Sequence, residues 1–262
     1  MLLPPSHLSL MSQVIALFNQ AGGVTKTTLC LNLGYALSKR KHRVLLVDTD
    51  PQASLTLFMG LTPMEQTQTL YNALVEKQPL YIEHEIYGMD LVPANLNLSV
   101  TEFQLSDDPN RHSCLKQALT PILKQYDFIL IDCSPSLGLL NHATLVASSY
   151  VLVPIQTQFK AFQSTDLLLN TIATVRRATP SCKVKIAGFI PTLYTARTSQ
   201  DARTLEAINK QLPVVAPVYP AIPRSTAFAD ASENKMPLGV YSPKHPVLKI
   251  LNQIAESLEN LQ

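Results

Sequence analysis

The chain has 262 residues, of which 46% are hydrophobic and 15% charged. That is ample for a buried core and excludes a disordered, fibrous or collagen-like chain. The net charge of +2 is too small to imply a polyanionic partner by itself. It is split, however: residues 1–159 carry 9 Lys/Arg and 12 Asp/Glu, whereas residues 160–262 carry 12 and 7; a basic second half suits a face for nucleic acid, and a shift this small equally suits a solvated surface.

Residues 1–11 contain two prolines, lack helical or strand periodicity, and have no positive region of the kind that opens a secretory signal. They are expected to be a loose tail ahead of one domain over 12–262, with Met11 as an alternative start. The apolar run 13–18 reads as a buried strand, 27–38 as a helix with basic residues at its C-terminal end, and 43–47 as a second strand ending at Asp48. A weaker strand follows at 89–92, an amphipathic helix at 111–124, and short buried strands at 128–131 and 150–153. Next come a helix at 165–177, a strand at 185–190, a helix at 201–212, a strand at 214–218 and a closing helix at 245–261. Alternating strands and helices predict an α/β fold, a doubly wound and mostly parallel sheet with helices on both faces. Cys30, Cys114, Cys133 and Cys182 form neither a C-x-x-C pair nor a zinc-spaced cluster and read as reduced core thiols. No apolar run reaches the roughly 18 residues that span a bilayer.

Between the first strand and the first helix lies Gly22-Gly23-Val24-Thr25-Lys26-Thr27-Thr28. This is a partial match to a phosphate-binding loop. Small residues let successive backbone N–H groups face phosphate oxygens, with a helix N-terminus behind them. Lys26 suits the β- and γ-phosphates, and the Thr27 hydroxyl suits a magnesium ion. Asp48 and Asp50 follow the second strand, and Asp132 ends the 128–131 strand. All three carboxylates should emerge at the carboxyl edge of the sheet, where ligands bind in such folds. A carboxylate there holds the waters of a magnesium ion or orients an attacking water; taken singly, each also suits a helix N-cap.

The segments Asn19 to Thr28, Val47 to Ser54 and Asp127 to Gly138 together resemble the three ATP motifs of the ParA/MinD family of deviant Walker ATPases. The resemblance covers nearly all of residues 12–255. It implies a P-loop NTPase of deviant Walker A type with ATP and Mg2+ as cofactors, sandwiched in a symmetric homodimer. In that family the dimer binds DNA without sequence preference. A ParB-like partner stimulates hydrolysis, and the cycle moves or spaces a cargo over the nucleoid, a cytoplasmic role. Carried over, Gly22 to Thr28 cradle the nucleotide, Lys26 holds phosphate, and Thr27 and Asp132 serve the metal. Asp50 positions the attacking water, with Asp48 as the alternative, and Arg197 and Arg224 match positions linked with DNA contact, the second loosely. Otherwise each arginine is a surface ion-pair partner.

Two positions depart from the pattern. The family lysine that reaches across the dimer is here Ala21, and the glycine before the loop lysine is Thr25. The missing lysine also resembles the McdA branch, which positions carboxysomes with an McdB-like partner and uses a lysine further along the chain. Lys160 is the candidate for that role, with Phe159 and Phe162 expected to anchor its loop; otherwise it is a solvated loop lysine. The acidic last residues argue against a membrane-binding helix, and unpaired cysteines argue against a metal-cluster carrier. A non-hydrolysing, nucleotide-gated binding module is the alternative function.

Overall fold

The computed structural model describes residues 12–136 and 138–261. The expected tail at 1–11 and the alternative start at Met11 lie outside the described residues. Among the described residues the strands are β1 (Gln13–Leu17), β2 (Val44–Asp48), β3 (Glu83–Ile86), β4 (Met89–Val92), β5 (Phe128–Asp132), β6 (Tyr150–Gln156) and β7 (Lys185–Thr192). They form one sheet in the order β3-β4-β2-β5-β1-β6-β7. Neighbours run parallel except β3 and β4.

The central strands are apolar throughout because both faces are covered. Alternation then sorts their side chains. Ile15, Leu17, Leu46 and Leu130 point to the layer holding the Lys26–Lys39 and Val247–Glu259 helices, through Leu29, Leu33, Leu251 and Ile254. On the opposite face, Val14, Leu45, Ile129 and Ile131 meet the Cys114–Leu119 and Leu139–Ala147 helices. Ala16, Val151 and Val153 meet the Thr165–Ala178 and Ser199–Gln211 helices on that face. Each fully buried Leu or Ile contributes about 1.5–3 kcal/mol by leaving water. All four cysteines are buried and free, as expected of core thiols.

Two expected elements are corrected. The 111–124 helix is three pieces: a 3-10 turn at Arg111–Ser113, the Cys114–Leu119 helix, and a 3-10 turn at Thr120–Gln125. Pro121 has no N–H to continue an α-helical ladder. The 214–218 strand is absent; Leu212–Val214 is a 3-10 turn, and Val218 makes only an isolated bridge to Phe189. Pro213 and Pro217 remove two of the donors that a ladder needs. An edge hairpin escaped the sequence reading. Its strand Glu83–Ile86 is charged and short, and Tyr87 and Gly88, at φ 54° and 77°, close the two-residue turn.

Candidate nucleotide site

Parallel topology brings the ends of β2, β5, β1, β6 and β7 to one edge. Asp48 and Asp132 lie in register there. Thr49 ties the two strand ends together: its N–H and hydroxyl both donate to the Asp132 carbonyl, at 3.1 and 2.6 Å.

The loop from Asn19 to Thr25 enters the Lys26–Lys39 helix through left-handed residues, Gly23 at φ 72° and Thr25 at φ 74°. Such alternation points backbone N–H groups into one concavity. Asn19 pins the loop, donating to the Pro154 carbonyl at 2.6 Å and accepting from Ala21 N at 2.9 Å. Gln20 donates to the Thr171 hydroxyl at 2.7 Å. The crowding expected of Thr25 takes the form of backbone strain: a β-branched residue stands in a region that suits glycine.

Lys26 is buried and donates to the carbonyls of Asn19 and Ala21 at 2.7 and 2.9 Å. Burial lowers its pKa, while Cys133, Asp132 and Asp50 act in the opposite sense. Asp132 is fully buried, and neither carboxylate oxygen has a hydrogen-bond partner of normal geometry. Burial, then the charge of Asp48, pushes its pKa well up; Thr27 and Lys26 favour the ionised form. A buried carboxylate left this way has the chemistry to hold a divalent cation's water shell, and the cation's charge would reverse the shift. The residues present therefore fit a magnesium ion.

Asp48 and Asp50 part company. Asp48 is fully buried with both oxygens engaged: Oδ2 accepts from Thr56 N and Oγ1 at 2.8 and 2.7 Å, and Oδ1 accepts from Asp50 N at 3.1 Å. Burial raises its pKa to about 6 against these bonds. Thr56 Oγ1 in turn accepts from Ala94 N at 2.9 Å, so Asp48 holds the β2 and β4 ends together. Asp50 is half-buried and accepts from Gln52 N at 2.9 Å through Oδ1 alone.

Lys160 is exposed on the short Phe159–Gln163 helix after β6, so it stands on a helix rather than in a loop. Phe162 packs against the core, whereas Phe159 is 58% exposed and does not anchor the segment. Arg197 and Arg224 are exposed, and neither joins an ion pair among the described residues. The backbone brings their turns together: Tyr194 N donates to the Ile222 carbonyl at 3.1 Å, and Arg224 N donates to the Tyr194 carbonyl at 2.9 Å. Beside the loop opens a cavity of about 520 Å³ lined by Thr25, Thr28, Leu193, Ser225 and Phe228 among others. Sequence reasoning missed Thr56, Leu193 and Asp201; the last accepts from Thr195 N at 2.9 Å. No motif marks these residues, since each acts through a partner distant in sequence.

A buried lysine next to an unpartnered buried carboxylate, beneath a loop of left-handed turns, suits a polyphosphate and its divalent cation, so this is a P-loop nucleotide-binding protein. A family model described as an AAA domain matches residues 12–186. The chain is 33% identical over 252 residues to the sporulation initiation inhibitor protein Soj of Bacillus subtilis, covering 95% of this chain and 98% of Soj. It is 34% identical over 238 residues to the chromosome partitioning protein ParA of Caulobacter vibrioides, covering 88% of each. A solved structure described as cobyrinic acid a,c-diamide synthase from Mycobacterium smegmatis, with bound ADP and magnesium, is 32% identical with a TM-score of 0.83, covering 95% of both chains. The chain belongs to the ParA/MinD family of P-loop ATPases, and a further structure of the Mycobacterium smegmatis protein, 32% identical with a TM-score of 0.84, holds an ATP analog and magnesium.

Proposed function

We propose that the protein is a partition or positioning ATPase. It binds Mg-ATP at the carboxyl edge, pairs with a second copy across that edge, and then binds DNA without sequence preference. A ParB-like or McdB-like partner stimulates its slow hydrolysis, and the cycle positions a cargo: a plasmid, a chromosome region or a carboxysome. The observation that carries this reading is Asp132, buried with both oxygens unpartnered beside Lys26 and Thr27.

Lys26 exchanges the carbonyls of Asn19 and Ala21 for phosphate oxygens, and Thr27 and Asp132 hold the cation. Bound magnesium supplies neutralising charge along the phosphates. Asp50, with one oxygen uncommitted, orients the attacking water; Asp48 is spent on Thr56. The nucleoside end fills the cavity beside Thr25 and Thr28. Met64, Leu96, Val100, Phe103 and Phe159 are exposed apolar residues, 47–97% accessible. They follow strand ends at the same edge, which supports pairing there. Lys160 supplies the cation that Ala21 lacks.

Asp50→Ala should cut turnover by orders of magnitude while ATP binding remains, and Lys26→Ala should abolish ATP binding; both are read by phosphate release and equilibrium nucleotide binding. Unchanged turnover in Asp50→Ala overturns the assignment. Ala21 and the strained Thr25 favour a second reading, a nucleotide-gated module without hydrolysis. Phosphate release on addition of partner and DNA separates the two.

A further inference from the structure

Four consecutive residues, Thr192 at the end of β7 and the three that follow it, run from the phosphate loop to both arginine turns. Thr192 is fully buried, its hydroxyl donates to the Val24 carbonyl at 3.3 Å, and its own carbonyl accepts from Thr157 N at 3.0 Å. Leu193 is left-handed at φ 56° and lines the cavity shared with Thr25 and Thr28. Tyr194 is bonded on both sides by the 222–224 segment, and Thr195 N is held by Asp201. Asp201 Oδ2 also lies 3.4 Å from the Thr157 hydroxyl, which closes the circuit back to β6.

Resting on the reading above, we infer that Leu193 is a positioning residue, the joint through which occupancy of the nucleotide cavity sets the placement of Arg197 and Arg224. A branched side chain in the left-handed region persists only where its surroundings hold it there. Here Thr192 is fixed to the phosphate loop and β6, so a change of backbone well at Leu193 redirects Tyr194, and the 222–224 segment bonded to it, relative to β7. A ligand biases such a joint only by touching it differently in its two arrangements. Leu193 meets that condition, because it is part of the cavity wall. The two arginine turns move as one unit, because both hang on the Tyr194 bonds. Their joint placement matters because two guanidinium groups engage neighbouring backbone phosphates only at matching spacing.

The test substitutes Leu193→Gly, which removes both the wall contact and the left-handed cost. Leu193→Asn, which tolerates the same backbone without the apolar contact, serves if the glycine variant does not fold. Binding to a random-sequence duplex is measured at fixed salt, with ATP or ADP saturating for each variant. The ratio of ATP-state to ADP-state affinity should fall at least tenfold from the parent's, towards unity. Amide hydrogen exchange is read in parallel without DNA. In the parent, ATP should slow exchange at 22–28, 194–198 and 222–226; in the variant only 22–28 should respond. If the parent shows the exchange response but no DNA binding, the DNA reading fails and the coupling stands. An ATP response at 194–198 and 222–226 that persists in the variant, or is missing from the parent, overturns the inference.

Discussion

Thr25 shows how one side chain changes the cost of a loop. A branched residue at φ 74° carries about 1–3 kcal/mol of backbone strain, and glycine relieves it at about 0.5–1 kcal/mol of added chain entropy. Thr25→Gly should therefore stabilise the protein by about 1 kcal/mol, read as a raised denaturation midpoint without nucleotide. Lys26, Thr27 and Asp132 were legible as neighbours because each stands at or just after the carboxyl end of a strand of one parallel sheet. The division of labour between Asp48 and Asp50 was not legible. It depends on Thr56, eight positions downstream of Asp48, folding back onto the carboxylate.

The elements follow from apolar runs where those runs are uninterrupted, as in β2 and β5, whereas β6 is legible only as far as Val153, ahead of Pro154. They fail where proline sits, at Pro121, Pro213 and Pro217, and where an edge strand is too polar to show a pattern, as at Glu83–Ile86. Contacts between elements lie beyond such reading. Gly188 in β7 is one: a Cβ there would stand 2.4 Å from the Tyr219 ring and 2.8 Å from the Pro217 carbonyl. Gly188→Ala should thus loosen the Pro217–Tyr219 segment from β7 and lower the denaturation midpoint. Another is the pair His112 and His142, whose rings lie 4.0 Å apart and join the 3-10 turn Arg111–Ser113 to the Leu139–Ala147 helix. Burial, with Arg111 for His112 and with His112 for His142, lowers both pKa values. The unfolded chain then takes up these protons more readily than the folded one, so the contribution is complete above pH 6.5 and is lost as pH falls below it. The stability difference between the parent and His142→Gln should shrink from pH 7 to pH 5, measured by denaturant titration.

At the scale of the whole molecule, the parallel sheet collects the residues of the proposed function on one edge, with Asp50, Asp132, the phosphate loop, Lys160 and Arg197 each at or after the end of a different strand. Facing phosphates of two nucleotides repel, and an exposed lysine on a flexible stem is suited to offset them. In an Asp50→Ala background, Lys160→Ala should leave nucleotide binding near the parent's but abolish the ATP-dependent dimer in sedimentation. Dimers that persist would make Lys160 an ordinary surface residue. Arg197→Glu and Arg224→Glu should each weaken duplex binding uniformly across sequences and flatten its dependence on salt by about one charge.

The two flanks of the sheet carry a consequence of their own. At one end, β7 is covered by the Pro217–Tyr219 segment, which takes up Phe189 N and Phe189 O through bonds of 2.8 and 2.9 Å. At the other, β3 is only four residues long and presents Glu83, His84 and Glu85. Neither flank offers a long apolar ladder to a neighbouring chain. Under the proposed cycle of gathering on DNA and dispersing, such flanks guard the protein against growing into fibrils by strand addition. Under the same proposal, self-association uses the carboxyl edge, where the nucleotide binds, and not the flanks of the sheet.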